Sequence, residues 1–161
     1  MSETGTPTIL LVDDEEMVLN SIKSFFAIES DYDVMTYTSP TKALEELDRN
    51  HQRIDLVVSD YLMPEMDGIT FLAKVKEKLP LVPRILLTGY ADKENAIKAI
   101  NNVGLYQYIE KRWDNEDLKL VIRNGLEKTV LLQQLEQKIQ EVERAHRELN
   151  EVQKDILRVF A

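Results

Sequence analysis

The sequence predicts an α/β protein: a doubly wound, five-stranded parallel sheet with an extended C-terminal coiled-coil helix. Three observations lead there. Five short apolar runs occur along the first 126 residues, each followed by a stretch with helical character. Most of these runs are continuously aliphatic, as strands covered on both faces are. Beyond Leu126 the composition changes, with no Gly or Pro from Thr129 to Ala161 and apolar residues in steps of three and four.

TILLV (Thr8–Val12) has the β-branched and aliphatic content of a buried strand. Glu16–Glu29 carries Met17, Leu19, Ile22, Phe25 and Phe26 at helical spacing. YDVMTY (Tyr32–Tyr37) alternates as a second strand. Ser39-Pro40 opens a helix through Arg49, with Ser as cap and Pro in the first turn. IDLVVS (Ile54–Ser59) is the third strand, and Gly68–Lys78 a helix closed off by Pro80 and Pro83. RILLT (Arg84–Thr88) is the fourth strand, followed by a helix over Asp92–Asn102 that ends near Gly104. YQYIE (Tyr106–Glu110) is the fifth, and a last helix starts near Asn115.

The bulk numbers exclude several classes. Lys and Arg total 20 against 29 Asp and Glu, a formal net charge of -9, which argues against direct nucleic-acid or anionic-membrane binding by this segment. There is no Cys, and the two His, His51 and His146, are far apart, so thiolate chemistry and a His-based metal site are not expected. The opening MSETGTPTILLVDDEE lacks the basic region and apolar length of a secretory signal, and no run is long enough to span a membrane. The expected location is the cytoplasm.

In a doubly wound sheet the site lies outside the carboxyl ends of the strands. Strand one ends in Asp13-Asp14, strand three in Asp60, strand four in Thr88 and strand five in Lys111. Taken singly, Asp13 and Asp14 would also serve as helix caps and Asp60 as a turn cap. Together, three carboxylates in one crevice call for a hard divalent cation, and Mg²⁺ suits such oxygen ligands. A metal-shielded aspartate can attack a phosphoryl group, with Lys111 pairing and Thr88 hydrogen-bonding the phosphoryl oxygens.

The motifs DD after strand one, SDYLMPEMDG, LLTGY and YIEK stand in this order, and together the chain resembles the receiver domain of two-component response regulators. The resemblance covers about Thr8 to Leu126. It implies a flavodoxin-like fold of strand order 2-1-3-4-5, with Asp60 as phosphoacceptor. It implies Mg²⁺ held directly by Asp14 and Asp60, through water by Asp13, and by the backbone carbonyl of Leu62. It further implies phosphoryl contacts from Thr88 and Lys111, a Thr88–Tyr108 switch acting on the face of helix four, strand five and helix five, and a sensor histidine kinase or phosphotransfer protein as partner. Such a domain is a phosphoacceptor signalling module, not an enzyme, that assists its own phosphotransfer and slow dephosphorylation. The chain departs from the family in one place: Arg112 stands where a Pro usually follows the lysine. A non-Pro cis bond costs about 3–4 kcal/mol. The Lys111–Arg112 bond is therefore expected either trans with a shifted loop, or cis under strain.

The heptad seam divides the chain into a receiver domain over 1–126 and a coiled-coil dimerisation and signalling helix over 127–161. Leu135, Val142, Leu149 and Ile156 occupy one core position; Leu132, Ile139, His146, Gln153 and Phe160 occupy the other. His146 and Gln153 are polar core residues of the kind that set register, and a protonated His146 would weaken the pairing. Lys138 and Glu143 on the two flanks favour a parallel homodimer. Asn124-Gly125 is expected to leave helix five unbroken, at a cost of roughly 1 kcal/mol. The still-apolar ending ILRVFA suggests truncation before an output domain. Two other readings compete: a phosphate-independent dimerisation scaffold with a vestigial site, and an aspartyl-nucleophile phosphohydrolase. Leu62 stands where the haloacid-dehalogenase-like class needs a second Asp.

Overall fold

The computed structural model describes residues 5–49, 53–89, 93–105, 107–110 and 114–160. The elements alternate strictly: β1 (Thr8–Val12), α1 (Glu16–Glu29), β2 (Asp33–Tyr37), α2 (Pro40–Arg49), β3 (Leu56–Asp60), α3 (Gly68–Lys78), β4 (Arg84–Thr88), α4 (Lys93–Val103), β5 (Gln107–Glu110) and α5 (Asn115–Phe160). All strand pairs are parallel, in the order β2-β1-β3-β4-β5. The predicted flavodoxin-like order is thus the observed one.

Aliphatic strands alternate their side chains between two layers of core. Ile9, Leu11 and Val58 pack with Phe26 of α1 and with Leu118 and Ile122 of α5. Leu10, Val12 and Val57 pack on the opposite face with Phe71, Leu72 and Ala96 of α3 and α4. Continuous apolar runs follow from this two-sided burial.

Local signals set the helix ends. The Ser39 hydroxyl accepts the Lys42 N–H at 3.2 Å, capping α2, and Asp67 caps α3 by accepting from Thr70 N–H at 2.7 Å. Asp114 Oδ1 accepts the Glu116 N–H ahead of α5. Gly104, at φ 72°, follows α4 in the left-handed conformation that ends many helices. Gly125 is buried and α5 runs through it.

One strand is shifted from the sequence expectation. β3 covers Leu56–Asp60 rather than Ile54–Ser59. Asp55 precedes the strand because its carboxylate is engaged, accepting from Thr8 N–H at 2.8 Å and pairing with Arg53 at 2.9 Å. At the other end, the ladder to β4 extends to Asp60↔Leu87. Tyr106 and Asp92, expected in β5 and α4, lie outside the described residues, as do His51 and Trp113.

The chain divides into two compact units between Glu127 and Lys128. No helix among the described residues is long and apolar enough to cross a membrane.

Among the described residues, Arg84 is the charged group buried deepest in the sheet unit away from the acidic end. Its guanidinium donates to Leu72 O at 3.0 Å and to Gly104 O at 2.8 Å. Burial pulls its pKa below the usual arginine value. Hydrogen bonds from a charged donor are the stronger kind, and desolvation of the guanidinium offsets part of their contribution. Arg84→Met keeps most of the volume and removes both bonds. It is expected to destabilise the fold by about 2 kcal/mol in urea denaturation; an unchanged midpoint would show that the bonds and the desolvation cancel.

Candidate functional site

The site is built where the strand order reverses, between β1 and β3. Those strands pair as far as Val12↔Ser59. The next residue on each is an aspartate, so the register alone brings Asp13 and Asp60 together. Asp13, Asp14 and Asp60 each offer a ligand oxygen, and these oxygens lie within 4.8 Å of one another. Asp13 and Asp60 are each 1% exposed, while Asp14 is exposed.

The capping alternative fails for the first pair. The residue preceding α1 is Glu15, and no side chain caps the helix. Asp13 Oδ1 instead accepts the Glu15 N–H at 2.9 Å, which orients its carboxylate. Asp60 Oδ1 accepts the Tyr61 N–H at 2.9 Å, and Ser59 Oγ donates to Asp60 O at 2.9 Å.

Carboxylates this close and this buried repel one another in a medium of low dielectric. A divalent cation with oxygen ligands removes the repulsion, and the donor set fits a hard ion such as Mg²⁺. Leu62, whose backbone carbonyl the family resemblance implies as a ligand, lies in the β3–α3 loop with its side chain exposed.

Thr88 ends β4, one residue beyond the Asp60↔Leu87 pair. It is 0% exposed, and its hydroxyl has no hydrogen-bond partner among the described residues. A buried hydroxyl without a partner is costly, and a ligand oxygen would satisfy it. Tyr108 is half-buried on β5, paired with Leu86 and packed against the α3-side core. Lys111 follows the Thr88↔Glu110 pair in sequence. It lies outside the described residues, as do Arg112 and the bond between them.

Three features in and beside the β3–α3 loop were not apparent from the sequence. A Cβ on Gly68 would lie 2.0 Å from Asp60 O and 2.9 Å from Leu86 Cδ1, and Gly68 N–H donates to Tyr61 O at 2.7 Å. The loop folds back on the acidic strand end, and only glycine permits the approach. Glu65 has φ 76°, a left-handed backbone conformation uncommon for a non-glycine residue. Its carboxylate accepts from the Ser39 hydroxyl at 2.9 Å and 3.1 Å, tying the loop to the start of α2. The third feature is Ser59, fully buried beside Asp60.

The model of the response regulator receiver domain matches residues 9–123. The chain belongs to that family. Its relatives include the hydrogenase transcriptional regulatory protein HoxA of Cupriavidus necator, 33% identical over 120 residues, covering 74% of this chain and 24% of HoxA. Among solved structures, the signal receiver domain of an HD domain-containing protein from Pseudomonas fluorescens Pf-5 is 37% identical with a TM-score of 0.71, covering 78% of this chain and 98% of that one. A structure of adenylate cyclase from Rhodopirellula baltica superposes with a TM-score of 0.78 at 26% identity, covering 84% of this chain and 98% of that one. The receiver thus spans about a quarter of the length of HoxA and nearly all of both solved chains.

The loop geometry yields two tests. Gly68→Ala is expected to destabilise the fold by about 3 kcal/mol, since the clash is with backbone and cannot be relieved by a rotamer change. Equal unfolding midpoints would contradict the close approach. Glu65 supplies a pH signature. Hydrogen bonds from Thr41 and then Ser39 hold its pKa below the ordinary value of 4.5. A carboxylate depressed in the folded state adds stability that is full above the unfolded pKa and lost as pH falls through the folded one. Glu65→Gln is therefore expected to be less stable than the parent at pH 7, with the gap closing as pH drops below 4.5. A gap that persists unchanged at pH 3 would refute the assignment.

Proposed function

We propose that this receiver is a phosphorylation-controlled signalling module in which Asp60 accepts a phosphoryl group from a sensor histidine kinase or phosphotransfer protein. The convergence of Asp13, Asp14 and Asp60 at the mouth of adjacent strands is the observation that supports this most directly. A carboxylate oxygen of Asp60 attacks the phosphorus of a phosphohistidine. The O–P bond forms as the P–N bond breaks, the imidazole nitrogen takes the electron pair and then a proton, and an aspartyl phosphate results.

Asp13, Asp14, Asp60 and the Leu62 carbonyl would hold Mg²⁺. When bound, the ion neutralises the carboxylates and the phosphoryl oxygens that approach them. The Tyr61 N–H fixes the rotamer of Asp60, and Asp13 is held by Glu15 N–H, so the acids are oriented before the donor arrives. The Thr88 hydroxyl and Lys111 bind phosphoryl oxygens. Drawing Thr88 toward the phosphoryl group vacates space that Tyr108 enters, and this alters the face of α4, β5 and α5. The chain acts as a phosphoacceptor and signals from the cytoplasm. The signal passes through a parallel homodimer of the α5 coil to an output domain or partner. A phosphohydrolase reading lacks the second acid, Leu62 being in its place, and a vestigial scaffold has no need of three converging carboxylates.

Intact mass after incubation with Mg²⁺ and acetyl phosphate tests the chemistry. One phosphoryl gain is expected, absent in Asp60→Asn and suppressed by EDTA. No gain while a known receiver is modified in parallel would favour the scaffold, and sustained phosphomonoester turnover would favour the hydrolase. The coil is tested separately. Val142 and Leu149 are exposed in the single chain, so the double change Val142→Asp, Leu149→Asp leaves the receiver intact. It should sediment as a monomer and still accept one phosphoryl group; a dimer would place the interface elsewhere.

A further inference from the structure

The apolar stripe on the coil part of α5 is wider than one heptad seam. Its central column is Leu135, Val142, Leu149 and Ile156. On one flank lies the column that starts Leu132, Ile139 and continues His146, Gln153. On the other flank lies a column that passes through Lys138 and continues Ala145, Val152, Val159. The two flanks exchange character halfway along. Before residue 145 the first flank is apolar and the second holds Lys138. From there on the first flank is polar and the second apolar. Leu131 and Phe160, at the two ends, are the exceptions. The helix is continuous through the exchange, and Val152, Ile156 and Val159 are at least half exposed in the single chain.

We propose that a second copy of this chain is held by a seam that changes register at Ala145. This rests on the parallel-dimer reading above. Leu132, Leu135, Ile139 and Val142 form the first half of the interface; Leu149, Val152, Ile156 and Val159 form the second. The core spacing then runs three, four, three to Val142, three to Ala145, and four, three, four, three to Val159. Two steps of three in succession equal an insertion of three residues, which locally overwinds the coil and turns the seam by roughly 50° about the helix axis.

The alternative, one unbroken heptad seam, buries His146 and Gln153 from both chains and leaves Val152 and Val159 in water. Burying polar groups without partners and exposing apolar ones are both unfavourable. The changed register reverses both: His146 and Gln153 move to the wet flank, and small Ala145 fills the tight crossover. The occupant is a second copy because a sustained three-four spacing accepts only another helix of matching period. In the first half, Lys138 also faces Glu143 of the partner subunit, as parallel pairing requires. The two seams share the central column, so rotation alone converts one into the other without sliding.

The chain contains no cysteine, so single-cysteine variants of the full chain report the seam directly. All the positions used are exposed in the single chain, and none is in the phosphorylation site. Ile139→Cys is expected to outpace Lys138→Cys in disulfide cross-linking. Val152→Cys should then cross-link roughly fivefold faster than Gln153→Cys, and Ala145→Cys faster than His146→Cys. If His146→Cys and Gln153→Cys are as fast or faster on a dimeric protein, the unbroken seam is right and the register change is wrong. If the parent chain sediments as a monomer at every concentration, the dimer reading and this inference fall together.

Discussion

The structure turns on the pairing of two parallel strands whose next residues are both aspartates. The β1–β3 register places Asp13 beside Asp60, and each is almost fully buried. Like charges in a low-dielectric crevice raise the energy of the fold unless something compensates. The surroundings are arranged around that problem. Backbone N–H groups of Glu15 and Tyr61 point at one oxygen of each acid. Asp14 stays in contact with water. The β3–α3 loop folds so tightly over the strand end that Gly68 meets the Asp60 carbonyl. A divalent cation suits such a crevice, because three converging carboxylates offer it hard oxygen ligands.

The sheet was legible because parallel strands buried on both faces must be apolar along their length, and they stop abruptly at chemistry-bearing residues. TILLV and RILLT show this, with boundaries identical in sequence and structure. IDLVVS was read two residues early because Ile54 and Asp55 continue the apolar-then-strand pattern, while the Asp55 side chain takes over a main-chain partner on β1. Which of Asp13 and Asp14 is buried was not legible from the dipeptide. The strand's alternation decides it once the register is known. Gly68 and Glu65 were illegible for another reason: the role of each depends on an atom brought near by the tertiary fold, Asp60 O for one and the Ser39 hydroxyl for the other.

β4 joins two kinds of buried polar group. At its start, Arg84 is anchored through its two terminal nitrogens by carbonyls of α3 and of the turn after α4. At its end, the Thr88 hydroxyl is buried with no hydrogen-bond partner among the described residues. Satisfied polar groups fix a structure, and unsatisfied ones leave it responsive to ligand. Arg84 ties the base of β4 to α3 and to the turn after α4, while the Thr88 hydroxyl at its tip is open to a ligand. A response at Thr88 has short access to β5, since Thr88 pairs with Glu110 and Leu86 with Tyr108.

The coil segment faces a different constraint. A helix of this composition has little reason to be stable alone. Its apolar residues from Leu131 to Val159 are exposed, and isolated helices gain most of their stability from packing of an amphipathic face. Two features bear on how a paired form would carry a signal. A coiled coil resists bending, so a paired form would carry a signal mainly by turning or separating its helices. The stripe also has three columns rather than two, and the central one is apolar in both registers. In a paired form a turn of the helices would keep Leu135, Val142, Leu149 and Ile156 in the seam while exchanging only the flanks. The shared column cancels between the two registers, so their free-energy difference lies in the flanks, where His146 and Gln153 stand against Val152 and Val159.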